Sequence, residues 1–216
     1  MNHLMRDSRG FLWFATRDGL SRFDGSRFIT YQVGARDSAP GVEYVFESSK
    51  GIYWIVTNGG LYRYDPSSAS HPPQTGNDRP ILNAEFVDAG RGSLYEDRDG
   101  KLWYWGGGNL DILEDNNGQI SFQNIKLKLP DNLATPFGIT GVSGARDGST
   151  WIATTRGVLR RMPDGREVFY SLEKKSMEHF TSVLEDDLGR MWLTTASGIY
   201  VLVPEEILPG TDVPIR

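Results

Sequence analysis

The sequence predicts an all-β fold built from repeated four-stranded antiparallel sheets. A tryptophan-centred segment returns five times along the 216 residues, and short alternating runs separated by glycine turns surround each copy. The repeat tryptophans are Trp13, Trp54, Trp103, Trp151 and Trp192. They are 41 to 49 residues apart, which is the period of a four-stranded propeller blade. We therefore predict a β-propeller of about five blades.

Glycines frame each tryptophan at fixed distances. A glycine lies three residues before every repeat tryptophan, as Gly10 does before Trp13. Six residues after the tryptophan lies a glycine in four copies and Asn109 in the third. Asparagine is the non-glycine residue that best tolerates positive φ. Asn109 is therefore predicted to occupy a left-handed turn position.

Each copy is interpreted as strands joined by tight turns. An alternating segment that ends in an acidic residue, such as GSLYED, predicts the first strand. The tryptophan-centred run predicts the second strand, and segments such as SRFD and FITYQV predict the third and fourth. Acidic residues such as Asp97 and Asp186 are expected to bond turn amides. The repeat tryptophans are expected to pack between neighbouring blades.

The repeats divide one predicted propeller domain, residues 1–216, into five units. Their boundaries are expected at about 1–38, 39–80, 81–134, 135–176 and 177–216. Pro66–Pro80 is expected to be an exposed excursion between the third and fourth strands of the second unit. Only Thr211–Arg216 could supply a fourth strand to the last unit. We favour a closed ring over an open arc, whose unmatched end faces would tend to self-associate.

Composition and charge exclude several classes of protein. The net charge of −5 argues against nucleic acid as a partner, and no apolar run is long enough for insertion into a membrane. The chain has no cysteine, which excludes disulfides and thiolate metal sites.

The N-terminal segment lacks the apolar core of a signal peptide. Because the repeat begins almost at once, the chain is expected to be a piece of a longer protein.

The sequence contains no recognisable group of catalytic, metal-binding or cofactor-binding residues. The three histidines, His3, His71 and His179, are scattered. The acidic residues repeat in phase with the tryptophans, which indicates turns rather than calcium ligands or paired catalytic carboxylates. Glycine clusters such as NGGL lack the lysine and the helix of a phosphate-binding loop. We therefore expect no catalytic residues, no metal and no cofactor.

Binding is the remaining class of function. In a propeller, the turns between second and third strands and the connections entering the first strands crowd one mouth of the channel, where ligands bind. Polar donors and aromatic surfaces there suit a carbohydrate or another small polar ligand. The candidate ligand-binding residues are Arg17, Tyr44, Asn58, Trp105, Asn109, Phe137, Arg156 and His179.

Trp105 is the one tryptophan outside the repeat position. Its place is filled elsewhere by smaller residues, such as Ala15 and Ala153. The indole therefore either fills space left by the neighbouring glycines or provides a platform on which a ligand stacks.

The repeated pattern DxxGxLWxxTxxGLxRFDG resembles the two-component regulator propeller repeat. The resemblance extends from about Met1 to Val203. Ser48 and Ala145 depart from the turn aspartate, and GGGN at Gly106–Asn109 departs from the threonine-containing turn. Family sensors usually carry many more than five blades, followed by a membrane helix and an output domain that this chain lacks.

The resemblance implies a non-catalytic sensor or ligand-binding module of a bacterial two-component signalling protein. It also implies a periplasmic or extracellular location. The alternative is a scaffold for protein–protein interaction or oligomerisation without a small ligand. No group of residues in the sequence favours a propeller enzyme, such as a lyase or hydrolase.

Overall fold

The strands occupy the repeat positions that the sequence predicts. The computed structural model describes residues 1–34, 41–67, 74–75, 80–90, 92–106, 108–128, 138–172, 179–204 and 213–215. These residues include 22 strands and no α-helix, so the all-β class is confirmed. Accordingly, the described residues contain no helix long and apolar enough to cross a membrane. The chain divides into two compact units, Met1–Glu96 and Asp97–Arg216.

Blade one, in the first unit, is a four-stranded antiparallel sheet. It contains β1 (His3–Arg6), β2 (Leu12–Thr16), β3 (Gly19–Phe23) and β4 (Phe28–Val33) in that order. Trp13 lies opposite Met5 on β1 and Arg22 on β3, so these residues share one face of the sheet. We call the face that bears the repeat tryptophan the forward face of a blade, and the opposite face its backward face.

Blade two has the same strand order, but an excursion precedes its fourth strand. It begins with β5 (Val42–Glu47), β6 (Tyr53–Thr57) and β7 (Gly60–Tyr64). The excursion contains β8 (Gln74–Thr75) and β9 (Pro80–Leu82), and β9 pairs in parallel with β4 of blade one. Blade two is completed by β10 (Glu85–Asp88), which pairs with β7. This corrects the boundary expected near residue 80, because the blade extends to Asp88.

The third repeat contributes strands to both units. The first unit ends with β11 (Ser93–Glu96), and the second begins with β12 (Leu102–Gly106), β13 (Asn109–Asn116) and β14 (Gln119–Asn124), which form consecutive antiparallel pairs. Gly108 has a positive φ of 88° in this turn and Asn109 does not, which corrects the prediction for Asn109. Glycine accepts that conformation without steric cost, so Asn109 instead begins β13.

Blades four and five lie in the second unit. They contain β15 (Ile139–Gly144), β16 (Thr150–Thr154), β17 (Val158–Arg161) and β18 (Glu167–Leu172), followed by β19 (Phe180–Glu185), β20 (Met191–Thr195) and β21 (Ile199–Leu202). The last strand, β22 (Val213–Ile215), pairs in parallel with β18 of blade four. Thr211–Arg216 was the only segment that could complete blade five, but its strand pairs with blade four, and the sheet of blade five has three strands in the described part of the chain.

Each core lies between the forward face of one blade and the backward face of the next. In the first unit, Trp13 of blade one packs against Tyr53 of blade two, with ring centroids 5.4 Å apart. In the second unit, Trp151 of blade four packs with Phe180 and Met191 of blade five. The predicted packing of tryptophan between blades is therefore confirmed at these two interfaces.

In three repeats, the turn acid joins the turn after the first strand to the repeat tryptophan. Oδ1 of Asp7 accepts hydrogen bonds from the amides of Arg9 and Phe11, while Oδ2 accepts one from Nε1 of Trp13 at 2.8 Å. Asp97 and Asp186 make the same bonds to their turn amides and to Trp103 and Trp192. The predicted bonding of turn amides is confirmed, and the indole bond adds a second role.

Candidate ligand-binding site

A threonine shapes the turn between the second and third strands in four repeats. The hydroxyl of Thr57 donates to the carbonyl oxygen of Gly60 at 3.0 Å and accepts from the amide of Gly59 at 3.1 Å. The equivalent bonds are made by Thr16, Thr154 and Thr195. These local bonds hold tight turns from which the side chains of Arg17 and Arg156 extend into solvent.

The connection entering a first strand lies against the hairpin turn of the same blade. In blade two, the amide of Asn58 donates to the carbonyl oxygen of Gly41 at 3.0 Å. In blade four, the amide of Thr155 donates to the carbonyl oxygen of Gly138 at 2.9 Å. A Cβ on Gly41 would lie only 3.0 Å from the carbonyl oxygen of Arg17. Glycine at this position therefore lets the connection approach the turn of blade one closely.

A polar cleft opens at these loops in the first unit. Its volume is about 480 Å³, and Asn2, Arg17, Gly41, Glu43 and Asn58 line it. Two candidate residues, Arg17 and Asn58, therefore meet at one cleft. The exposed guanidinium of Arg17 makes no hydrogen bond or ion pair with the residues that the structure describes. The cleft combines this guanidinium with a carboxylate and two side-chain amides.

Tyr44 follows Glu43 in β5, but its side chain is engaged by the protein. The hydroxyl donates to the carbonyl oxygen of Leu94 at 3.2 Å, and the ring centroid lies 4.2 Å from that of His3. Burial raises the pKa of Tyr44. Burial also lowers the pKa of His3, against the opposing effect of a backbone hydrogen bond at Val45. The two rings therefore form a neutral, half-buried pair.

The remaining candidates belong to the second unit or lie outside the described residues. Arg156 is exposed in the turn after β16, and His179 is exposed immediately before β19. Asn109 is exposed at the start of β13. The side chain of Trp105 is only 8% exposed, which favours the space-filling alternative over a stacking platform. Phe137 lies outside the described residues.

The sequence did not predict a second polar cleft of the first unit, which has a volume of about 500 Å³ and lies at the turns between first and second strands. Glu47 accepts hydrogen bonds from the amide and hydroxyl of Ser8 at 2.6 and 2.7 Å. Glu96 accepts the same two bonds from Ser49, both at 2.6 Å. Each glutamate thereby ties the turn of the preceding repeat to its own strand. A glutamate directly before the turn residue is the sequence signal for these contacts.

The acidic side chains of the described residues do not gather with histidine into a group that could hold a metal ion. The carboxylates of Glu47 and Glu96 are both engaged by serine donors, which suits structural contacts between repeats. The cleft around Arg17 is therefore the better candidate for a ligand site.

Solved structures similar to this chain have propeller-like folds. One is an extracellular domain from B. thetaiotaomicron, of the assigned hybrid two-component system BT3049. It is 18% identical to this chain, and the match covers 92% of this chain and 26% of that one with a TM-score of 0.67. For virginiamycin B lyase from Staphylococcus aureus the identity is 17% and the TM-score 0.65, over 99% of this chain and 70% of the lyase. No protein-family model and no curated protein matches the chain.

A second extracellular domain from B. thetaiotaomicron, of the assigned hybrid two-component system BT4673, is 19% identical with a TM-score of 0.55. The match covers this whole chain and 35% of that one, so the chain spans about a quarter to a third of the two extracellular domains. The propeller class of the fold is confirmed by these similarities. The number of blades in the ring and its closure stay predictions.

Proposed function

We propose that this chain is a ligand-binding sensor module of a bacterial two-component signalling protein. It acts in the periplasm or outside the cell and signals through an output domain of the same protein. The fold that it shares with extracellular domains of assigned two-component systems supports this role. The polar cleft around Arg17 is the observation that carries it, because a guanidinium that the described residues leave unpaired is available to a ligand.

The chemistry of the cleft favours a small polar ligand that carries several hydroxyl groups. A sugar hydroxyl can accept from the guanidinium of Arg17 while a neighbouring hydroxyl donates to the carboxylate of Glu43. A carboxylate on the ligand would strengthen the contact with Arg17, since Arg binds carboxylates in a two-point geometry. The described lining of this cleft contains no aromatic side chain, so recognition there depends on hydrogen bonds. A carbohydrate, especially an acidic one, fits these requirements.

Isothermal titration calorimetry against glucose, galactose, glucuronate and galacturonate tests this proposal. We expect binding of at least one sugar, and Arg17→Ala should weaken it at least tenfold, about 1.4 kcal/mol. Arg27→Ala is the matched control, because Arg27 is an exposed arginine of the same blade that pairs with Asp24. Equal binding by both variants would remove the cleft from the site.

We also propose that the module is not an enzyme, although a lyase shares its fold. The described histidines are His3, which is half-buried beside Tyr44, and His179, which is exposed and belongs to the other unit. Incubation with virginiamycin B should leave this compound unchanged. Product formation that depends on the chain would assign it to the enzymes instead.

A protein-interaction scaffold remains the second candidate function. The observation that favours it is an exposed apolar surface on blade five, where Leu184 and Ile199 are 62% and 64% exposed. Binding through that surface does not exclude a ligand in the cleft, because the two features belong to different units.

A further inference from the structure

In each unit, a contact between two positions that recur in the repeat joins neighbouring blades. The first position follows the turn acid of one blade, and the second precedes the turn residue of the next blade. In the first unit these residues are Ser8 and Glu47, joined by two hydrogen bonds. In the second unit the amide of Arg146 donates to Glu185 at 2.8 Å, and the guanidinium Nε lies 3.6 Å from the same carboxylate. We call this contact the clasp.

The forward face of blade five carries exposed apolar side chains. Leu184, Trp192 and Val201 lie opposite one another across the three strands, and they are 62%, 36% and 40% exposed. The equivalent tryptophan of blade four, Trp151, is fully buried against blade five. In this fold, the backward face of another blade is what covers such a surface.

The backward face of blade one is also apolar and exposed. Leu4 lies opposite Phe14, and the ring of Phe14 lies 5.5 Å from that of Phe28, which is 61% exposed. The residues equivalent to Phe14 in blades two and five are Ile55 and Leu193, and both are fully buried against the preceding blade. The described residues therefore include an exposed forward face and an exposed backward face.

The clasp positions at these two faces carry reversed charges. Blade five has Asp187 where blade four has Arg146, and blade one has Arg6 where blades two and five have Glu47 and Glu185. Arg6 forms no hydrogen bond or ion pair with the described residues, and it lies on the backward face of blade one. The carboxylate of Asp187 is fully exposed, 3.7 Å from the guanidinium of Arg146. The clasp positions of the two faces therefore carry opposite charges.

We propose, in place of the closed ring favoured from the sequence, that the forward face of blade five binds the backward face of blade one in a second copy of the chain. The guanidinium of Arg6 then donates to the carboxylate of Asp187 and forms a clasp of reversed polarity. Apolar contact with Trp192 and Phe14 supplies the area, and the ion pair supplies the register. Because the two faces differ, the contact is heterologous and generates rings or open chains of copies.

Sedimentation velocity of the whole chain over a roughly hundredfold range of concentration tests the proposal. We expect the mean mass to rise with concentration. Arg6→Glu and Asp187→Arg each place like charges at the clasp and should raise the dissociation constant about tenfold. The double variant restores opposite charges in the polarity of Arg146 and Glu185, so it should associate as well as the unaltered chain.

Asp164→Arg is the matched control, because it makes the same charge change in the turn between β17 and β18. Association of this control should equal that of the unaltered chain. Trp192→Ser should abolish association while leaving the circular dichroism spectrum unchanged, because its side chain lies on the exposed face. A chain that stays monomeric at every concentration, or a double variant no better than the single ones, would overturn the proposal. Neither outcome depends on a ligand in the cleft.

Discussion

The hydroxyl of Tyr53 donates a 2.8 Å hydrogen bond to Oδ2 of Asp7, the same oxygen that accepts the indole bond of Trp13. Tyr53 belongs to blade two and the other two residues to blade one, so one carboxylate joins neighbouring blades. Burial opposes ionisation of Asp7, but the hydrogen bonds from Trp13 and Tyr53 outweigh it and lower the pKa of this carboxyl. The turn acid of blade one is therefore part of the blade interface.

The lowered pKa of Asp7 predicts a loss of stability in acid. The unfolded chain binds a proton near the ordinary value of 3.8, whereas the folded chain binds it only at lower pH. The stabilisation is thus complete above that value and is lost as pH falls through the folded pKa. Asp7→Asn should reduce the free energy of unfolding at neutral pH by about 2 kcal/mol. Urea titrations across pH should show a flatter acid dependence for this variant.

The control for this prediction is Asp99→Asn, which removes an exposed carboxylate that makes no hydrogen bond or ion pair with the described residues. It should leave the free energy of unfolding at neutral pH nearly unchanged. An acid dependence that is identical in Asp7→Asn and the unaltered chain would show that this carboxylate does not couple pH to folding.

Ser48→Asp should stabilise the protein. Ser48 stands where three other repeats have the turn acid, and the buried Nε1 of Trp54 has no hydrogen-bond partner among the described residues. An aspartate can accept this bond as Asp7 does, which should add about 1 kcal/mol to the free energy of unfolding. Ser48→Asn is the control of equal size, since it lacks the second acceptor oxygen. A lower melting temperature for Ser48→Asp than for Ser48→Asn would contradict the assignment.

Gly60→Ala should destabilise the second blade strongly. Gly60 has a φ of 128°, and an added Cβ would overlap the carbonyl oxygen of Asp88. The backbone strain and the clash together should cost about 3 kcal/mol in chemical denaturation. Gly25→Ala separates the two effects, because Gly25 has a φ of 98° with nothing within 4 Å of the added atom. A cost near 1 kcal/mol is expected there, and equal costs would argue against the clash.

Trp151→Ala and Trp192→Ala should differ although the two residues are equivalent in the repeat. Trp151 is fully buried between blades four and five, so its truncation should cost about 3–5 kcal/mol. Trp192 is 36% exposed, and its truncation should cost less than about 2 kcal/mol. Thermal melts at low protein concentration measure both. Similar losses would show that the forward face of blade five is covered in solution.

The hairpins of each blade could be predicted because their signals are local and repeat five times. Tryptophan, glycine and the turn acid recur at fixed spacing, and Thr57 and its equivalents brace the next turn. By contrast, β9 and β22 are three residues each and pair in parallel with β4 and β18. Segments this short have no periodicity, and their partners are distant in sequence, so no local pattern reveals them.

The candidate site was predictable in part. Arg17 and Asn58 occupy turns whose position the repeat defines, and they meet at one cleft. Glu43 and Asn2 were missed, because which side chains line a cleft depends on how strands of two blades meet. Exposure of Trp192 could not be predicted either, since all five tryptophans look alike in sequence and only the neighbouring surface distinguishes them.

The ligand cleft is tested most directly by nuclear magnetic resonance of the ¹⁵N-labelled chain during titration with glucuronate. We expect saturable shifts of the backbone amides of Arg17, Gly41 and Asn58, and none at Ser8 and Ser49 in the second cleft. The Arg17→Ala variant should show these shifts only at much higher sugar concentration. Shifts confined to residues away from Arg17, or no shift with any sugar of the calorimetric panel, would contradict the proposed site.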